Sequence, residues 1–286
     1  MITWIERFLM YPAARAAQLE AAQTGFPPHV VQDVTITATD GLPLRGLLYG
    51  AELCARGDGP LILFFPGNGG HRLHRLPTAL DLLSLGCAVL HFDYRGYGDN
   101  PGVTAEPHLH QDALCIWNYA TRQLDVPPER IILFGQSLGG AVATRLAAHV
   151  DTPAAGLVLN CTFASMVETA SWHYPYLPVR WVLRDRWPSV EHIPQVASSL
   201  LQFHGDEDDI VPLDHGRALF EAAPDRCRRG YPKRFVLLDG HGHNNISVAT
   251  MRPELVRFLT SLELLSDSLQ EASDGEQFRN GRVSDL

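Results

Sequence analysis

IILFGQSLGG, residues 131–140, runs four apolar side chains straight into a serine with glycines two positions to either side. The segment after it, AVATRLAAH, has the composition of a helix, so the stretch reads as strand, sharp turn, helix. A serine on such a turn lifts its hydroxyl above the edge of a sheet and needs a strained backbone to do so. Gly135 and Gly139 remove the side chains that would collide across the bend. The helix beginning at Leu138 turns its first N–H groups and its positive dipole end toward the space over Ser137.

Outward from this stretch, the same alternation repeats. Short apolar runs occur at 61–65 (LILFF), 87–92 (CAVLHF), 156–160 (GLVLN), 199–203 (SLLQF) and 234–238 (RFVLL). Runs apolar on both faces suit a parallel sheet covered by helices on each side. The spacing predicts connecting helices near 73–85, 105–123, 138–149, 214–222 and 249–265. Ahead of them, strand-like segments at 30–37 and 44–49 flank Asp40-Gly41, a hairpin signal. Strand then helix, repeated, predicts an α/β, doubly wound domain, with ligands at the carboxyl ends of its strands. Glycine, acid and histidine gather after those ends: PGNGG (66–70), DYRGYG (93–98), HGDEDDIVP (204–212) and DGHGHNN (239–245).

A neutral serine is a weak nucleophile, so a base must take its proton and an acid must orient that base. His241 and His243 compete for the first role, and Asp206, Glu207, Asp208 and Asp209 for the second. The chain order serine, acid, histidine differs from that of trypsin-like and subtilisin-like proteases. The acidic run lacks the glycine and distal glutamate of an EF-hand loop. His71 and His74 lack a third ligand at a telling distance, so both read as surface histidines and no metal is expected.

Thirty-two acids against 23 bases leave a formal charge of −9, with no basic run to track a phosphate backbone, so nucleic acid is not an expected partner. The five cysteines show no paired spacing and read as reduced thiols; with no secretory leader, a cytoplasmic location is expected. Residues 1–29 form an N-terminal segment that opens with Ile2, Ile5, Phe8 and Leu9 in amphipathic spacing, which suits a docked helix or a membrane-surface contact. Residues 266–286 are polar and aperiodic, and are expected to be disordered. Nothing in the sequence specifies an oligomeric state.

With these motifs in place, residues 30–262 resemble the small-cap serine hydrolases of the α/β-hydrolase superfamily, the "alpha/beta hydrolase domain-containing" type. The resemblance rests on GQSLGG, VTITATDGLPLRG, FFPGNGG, DYRGYGDNPG, HYPYLPVRWVLRDRW and HGDEDDIVP in combination. It implies a mostly parallel eight-stranded sheet over 30–265, with a small cap inserted at 161–196. Carried over by position, it makes Ser137, Asp208 and His243 the triad and places the oxyanion-hole N–H groups on Asn68 and Leu138. Pro66 stands where the family usually has histidine. Asp99 and Asn100, where relatives often carry Lys-Ser, and Ser198-Ser199, where Val-Pro is common, read as tolerated scaffold changes.

The cap composition nominates Trp172, His173 and Tyr174 as pocket residues, favouring an acyl chain or aromatic ester. The implied reaction is cleavage of a small-molecule ester or thioester through an acyl-enzyme, with no cofactor. An acyltransferase or a protein-lipid thioesterase would use the same triad; a non-catalytic binding module is the remaining rival.

Overall fold

The computed structural model describes residues 10–265. The amphipathic pattern at residues 2–9 and the polar tail at 266–286 lie outside the described residues. In chain order the elements are β1 (Val31–Thr37), β2 (Pro43–Tyr49), α1 (Ala51–Arg56), β3 (Leu61–Phe65), α2 (Leu76–Leu83), β4 (Ala88–Phe92), α3 (Glu106–Arg122), β5 (Ile131–Gln136) and α4 (Leu138–His149). They continue with β6 (Gly156–Asn160), α5 (Met166–His173), α6 (Val179–Val182), α7 (Ser189–His192), β7 (Ser199–Gly205), α8 (Leu213–Ala222), β8 (Arg234–Leu238) and α9 (Val248–Ser261). The sequence-based boundaries agree with these to within a few residues. The exceptions are α1, a short helix whose last three residues read as loop, and the cap helices α5, α6 and α7, which the spacing does not predict.

One eight-stranded sheet carries the order β1-β2-β4-β3-β5-β6-β7-β8. β1 and β2 pair antiparallel through the Asp40-Gly41 turn, β2 meets β4 antiparallel, and the remaining neighbours are parallel. The continuous apolar runs are explained by burial on both faces, since strand side chains alternate. Leu63, Leu133 and Leu157 enter the core shared with α3 and α4, while Ile62, Ile132 and Val158 enter the one shared with α2 and α9. β8, at the edge, is only partly buried.

The strand order reverses between β3 and β5, which lie side by side although α2, β4 and α3 separate them in sequence. That crevice is where an open α/β sheet receives ligands. It brings the loop after β3, Pro66 to Gly70, against the turn after β5, which holds Ser137.

Beneath the crevice, Arg72 is fully buried and pairs with Asp93 at 2.7 Å and Asp99 at 2.6 Å. Asn100, also fully buried, accepts from the Arg45 N–H at 2.8 Å and donates to the Asp93 carbonyl at 2.7 Å. Asp99 and Asn100 therefore do more than fill a tolerant scaffold position: they tie the loop after β4 to β2 and to Arg72. Burial pushes the Asp93 carboxyl up to about 6 against the pull of Arg72.

Arg72→Met would strand that carboxylate, and breaking a buried pair typically costs about 3–5 kcal/mol. A buried acid without its cation has a folded-state pKa raised above the unfolded value, so stability falls as pH rises through this range. Chemical denaturation should therefore show the loss from Arg72→Met to be larger at pH 8 than at pH 5.

Candidate active site

Ser137 sits between the last residue of β5 and the first of α4, with φ +51° and ψ −118°, a conformation that L-residues rarely adopt. Three hydrogen bonds hold it there. Its N–H donates to the Asn160 carbonyl at 2.9 Å, and its own carbonyl accepts from the Gly140 N–H at 2.9 Å and the Thr162 hydroxyl at 2.8 Å. A Cβ on Gly139 would lie 2.0 Å from the Phe65 carbonyl oxygen, and one on Gly135 would lie 2.5 Å from the Gly139 carbonyl oxygen. Gly139 thus lets the nucleophile turn and the end of β3 press backbone to backbone, and Gly135 lets the turn fold tightly onto the start of α4.

The Ser137 Oγ lies 3.0 Å from His243 Nε2, and His243 Nδ1 lies 2.8 Å from Asp208 Oδ2. His243 comes from the loop after β8 and Asp208 from the loop after β7, both buried. The second Asp208 oxygen accepts the N–H groups of Ile210 at 3.0 Å and Val211 at 2.7 Å. Burial raises the affinity of Asp208 for a proton, but the hydrogen bond from His243 and its charge outweigh this, followed by the Val211 N–H and His204. The carboxyl lies below its usual range. An ionised Asp208 then receives the Nδ1–H and leaves Nε2 free to accept from the serine hydroxyl. His241 instead places Nδ1 2.8 Å from the Asp239 carbonyl, while Asp206, Glu207 and Asp209 are exposed. The structure brings His243 and Asp208 to Ser137 and leaves their rivals outside.

Asn68 and Leu138 line the same cavity as Ser137. Among the described residues, neither backbone N–H donates to a protein acceptor, as befits Leu138 in the first turn of its helix. The Asn68 loop is braced from behind. The Tyr94 hydroxyl donates to the Pro66 carbonyl at 2.7 Å, the Tyr97 hydroxyl to the Asn68 carbonyl at 2.9 Å, and the Asn68 side chain to the Met10 carbonyl at 2.8 Å. The two tyrosines belong to the DYRGYG motif, whose position after β4 pointed to the site without revealing this role.

Over the crevice lies a cavity of about 650 Å³ with mostly apolar walls. Its roof comes from α5, where Met166, Thr169, Ala170 and His173 face inward at helical spacing. His173 and Tyr174 line the cavity, but Trp172 does not: one residue before His173, it falls on the outer face of α5 and is 54% exposed. His173 also reaches the acid loop, its Nε2 lying 2.8 Å from the Ile210 carbonyl.

A latch holds the far end of the cap. Glu106 accepts the backbone N–H groups of Arg186 at 2.6 Å and Trp187 at 2.9 Å. Tyr11 donates to Asp185 at 2.6 Å and accepts from the Trp187 indole at 3.0 Å.

Cys161, Asp208 and His243 are the one group among the described residues whose ligand atoms converge, all within 4.8 Å of one another. Burial pushes the Cys161 thiol up, with Asp208 adding to the effect. His71 and His74 stack on one another, with ring centroids 3.7 Å apart. Among the described residues, no helix is long and apolar enough to cross a membrane.

The alpha/beta hydrolase fold family matches residues 60–186. The uncharacterized protein Rv2307c of Mycobacterium tuberculosis is 38% identical over 270 residues, covering 93% of this chain and 91% of that one. The lysophosphatidylserine lipase ABHD12 of Bos taurus is 33% identical over 221 residues, covering 69% of this chain and 55% of its own length. Among solved structures, an alpha-beta hydrolase from Vibrio vulnificus superposes with a TM-score of 0.71 at 18% identity, over 90% of this chain and 92% of that one, a likeness of fold. The fold and the lipase relative together support hydrolase activity. With its eight-stranded, mostly parallel sheet and these matches, the chain belongs to the α/β-hydrolase family, among the alpha/beta hydrolase domain-containing proteins.

Proposed function

We propose that the protein is a serine hydrolase that cleaves a carboxylic ester or thioester with an apolar acyl chain. One observation carries this reading: Ser137 Oγ, His243 and Asp208 form a continuous hydrogen-bonded line, at 3.0 and 2.8 Å, whose Ser137 and His243 line the apolar cavity.

In this mechanism His243 takes the Ser137 proton as the oxygen attacks the acyl carbonyl, and Asp208 stabilises the imidazolium that results. The Asn68 and Leu138 N–H groups receive the developing oxyanion, each worth about 2.7–4 kcal/mol in the transition state. His243 then protonates the leaving alcohol or thiol. It next activates the water that releases the acid and restores the serine.

A cavity of about 650 Å³ lies within the range of small-molecule sites and is large enough for an acyl chain along α5. Each methylene buried there contributes about 0.8 kcal/mol, or roughly fourfold in kcat/KM. Across 4-nitrophenyl esters, kcat/KM should therefore climb from acetyl toward octanoyl. A steady decline from acetyl onward would show that the cavity does not hold the chain.

A further inference from the structure

Arg75 lies just before α2 and lines the catalytic cavity together with Ser137. It also lines a second cavity of about 220 Å³ that adjoins the first, sharing Gln136 and Asn244 with it. Its guanidinium makes one bond, from Nη2 to the Gly69 carbonyl at 2.6 Å, and its buried Nε has no partner. Among the described residues no carboxylate stands within ion-pair distance of it. The groups that act on it electrostatically are the Tyr94 phenol and then Asp93, and Asp93 is already bound to Arg72. Arg75 is half-buried, and an arginine drawn partly out of water usually has an anion beside it.

The smaller cavity is built to accept one. Asn160, 2% exposed, lines it with a side-chain oxygen that has no partner; turned over, the same amide offers two N–H donors. Ser247, the N-cap, and Val248, the first residue of the 14-residue α9, form another wall, and a helix start favours negative charge. No aspartate or glutamate lines either cavity, in a chain whose formal charge is −9.

We propose that Arg75 and this side cavity receive an oxyanionic group, phosphate or carboxylate, carried on the alcohol portion of an ester whose acyl chain occupies the cap-lined cavity. The proposal rests on the hydrolase reading for the identity of the ester, though not for the anion site itself. A guanidinium fork suits either oxyanion, because it presents parallel N–H donors to two oxygens at once. Holding the Gly69 carbonyl takes only one of its five N–H groups.

The test is equilibrium binding to the full-length protein of dodecyl phosphate, sodium dodecanoate and uncharged 1-O-dodecylglycerol, none of which carries a carboxylic ester bond. The wild type should bind at least one of the anions at least tenfold more tightly than the neutral ether, the scale of a charge-assisted pair. Arg75→Gln, which keeps a donor for Gly69, should abolish that preference, whereas Arg75→Lys should retain most of it. Inorganic phosphate should compete with the bound anionic amphiphile and leave dodecylglycerol in place.

Equal binding of anions and ether by the wild type, an undiminished preference in a folded Arg75→Gln protein, or no competition by inorganic phosphate would each overturn the proposal. Turnover of 4-nitrophenyl dodecanoate, measured alongside, separates the two readings. An intact anion preference without turnover would sink the hydrolase and spare the anion site, and turnover without the preference would do the reverse.

Discussion

Ser137→Ala is expected to lower kcat for an activated ester by a factor on the order of 10⁶, the scale seen when a triad nucleophile is removed. The variant should also lose covalent labelling by a fluorophosphonate probe. Both follow from the geometry: the Ser137 oxygen is the atom facing His243 Nε2, and no other hydroxyl is hydrogen-bonded to that nitrogen among the described residues. Binding should survive, since the cavity walls and the Asn68 loop are untouched. Equilibrium dialysis of a long-chain ester with Ser137→Ala should therefore give a Kd near the wild-type KM where chemistry is slow. Persistent labelling at another residue would assign the chemistry elsewhere.

Gly139→Ala is expected to damage stability and catalysis together. The added methyl would sit 2.0 Å from the Phe65 oxygen, 2.4 Å from the Phe65 carbonyl carbon and 2.6 Å from the Pro66 oxygen. All three are backbone atoms, so no side chain can rotate away. The end of β3 must part from the nucleophile turn, and overpacking of this kind costs about 3 kcal/mol or more. The displaced segment leads into Asn68, and losing one oxyanion donor costs about 10²–10³ in kcat. Gly69→Ala is the matched control, because a methyl there meets nothing within 4 Å. A thermal melt and ester turnover of the two variants should differ sharply; equal behaviour would remove the close packing from the account.

Much of the fold was legible because a parallel sheet buried on both faces writes itself as continuous apolar runs. LILFF and IILF could hardly be exposed strands, and β3 and β5 lie where those runs do. α1 was not legible, since Ala51–Arg56 is too short to show a helical period before Gly57 ends it. At the site, Ser137 announced itself through its glycines, which act within a few residues of the serine. Choosing His243 over His241 and Asp208 over its acidic neighbours needed either a family resemblance or the coordinates, because each choice depends on a contact across at least 35 residues.

The pocket shows the same division. Trp172 and His173 are adjacent and equally plausible by composition, yet helix geometry turns one outward and the other toward the serine. Arg75 gave no sequence signal, because an arginine before a helix is ordinary until the fold places it beside a nucleophile with no acid to pair with.

By itself the sequence determined the strands, the strained serine turn and the helix behind it, since these are set by short-range sterics and by which residues leave water. Only the tertiary structure decided which histidine and acid reach that serine, which aromatics face the cavity, and which arginine lacks a counterion. Those outcomes depend on how β3, β5, β7 and β8 are ordered in the sheet. The order is settled by packing among residues far apart in the chain, which no local pattern records.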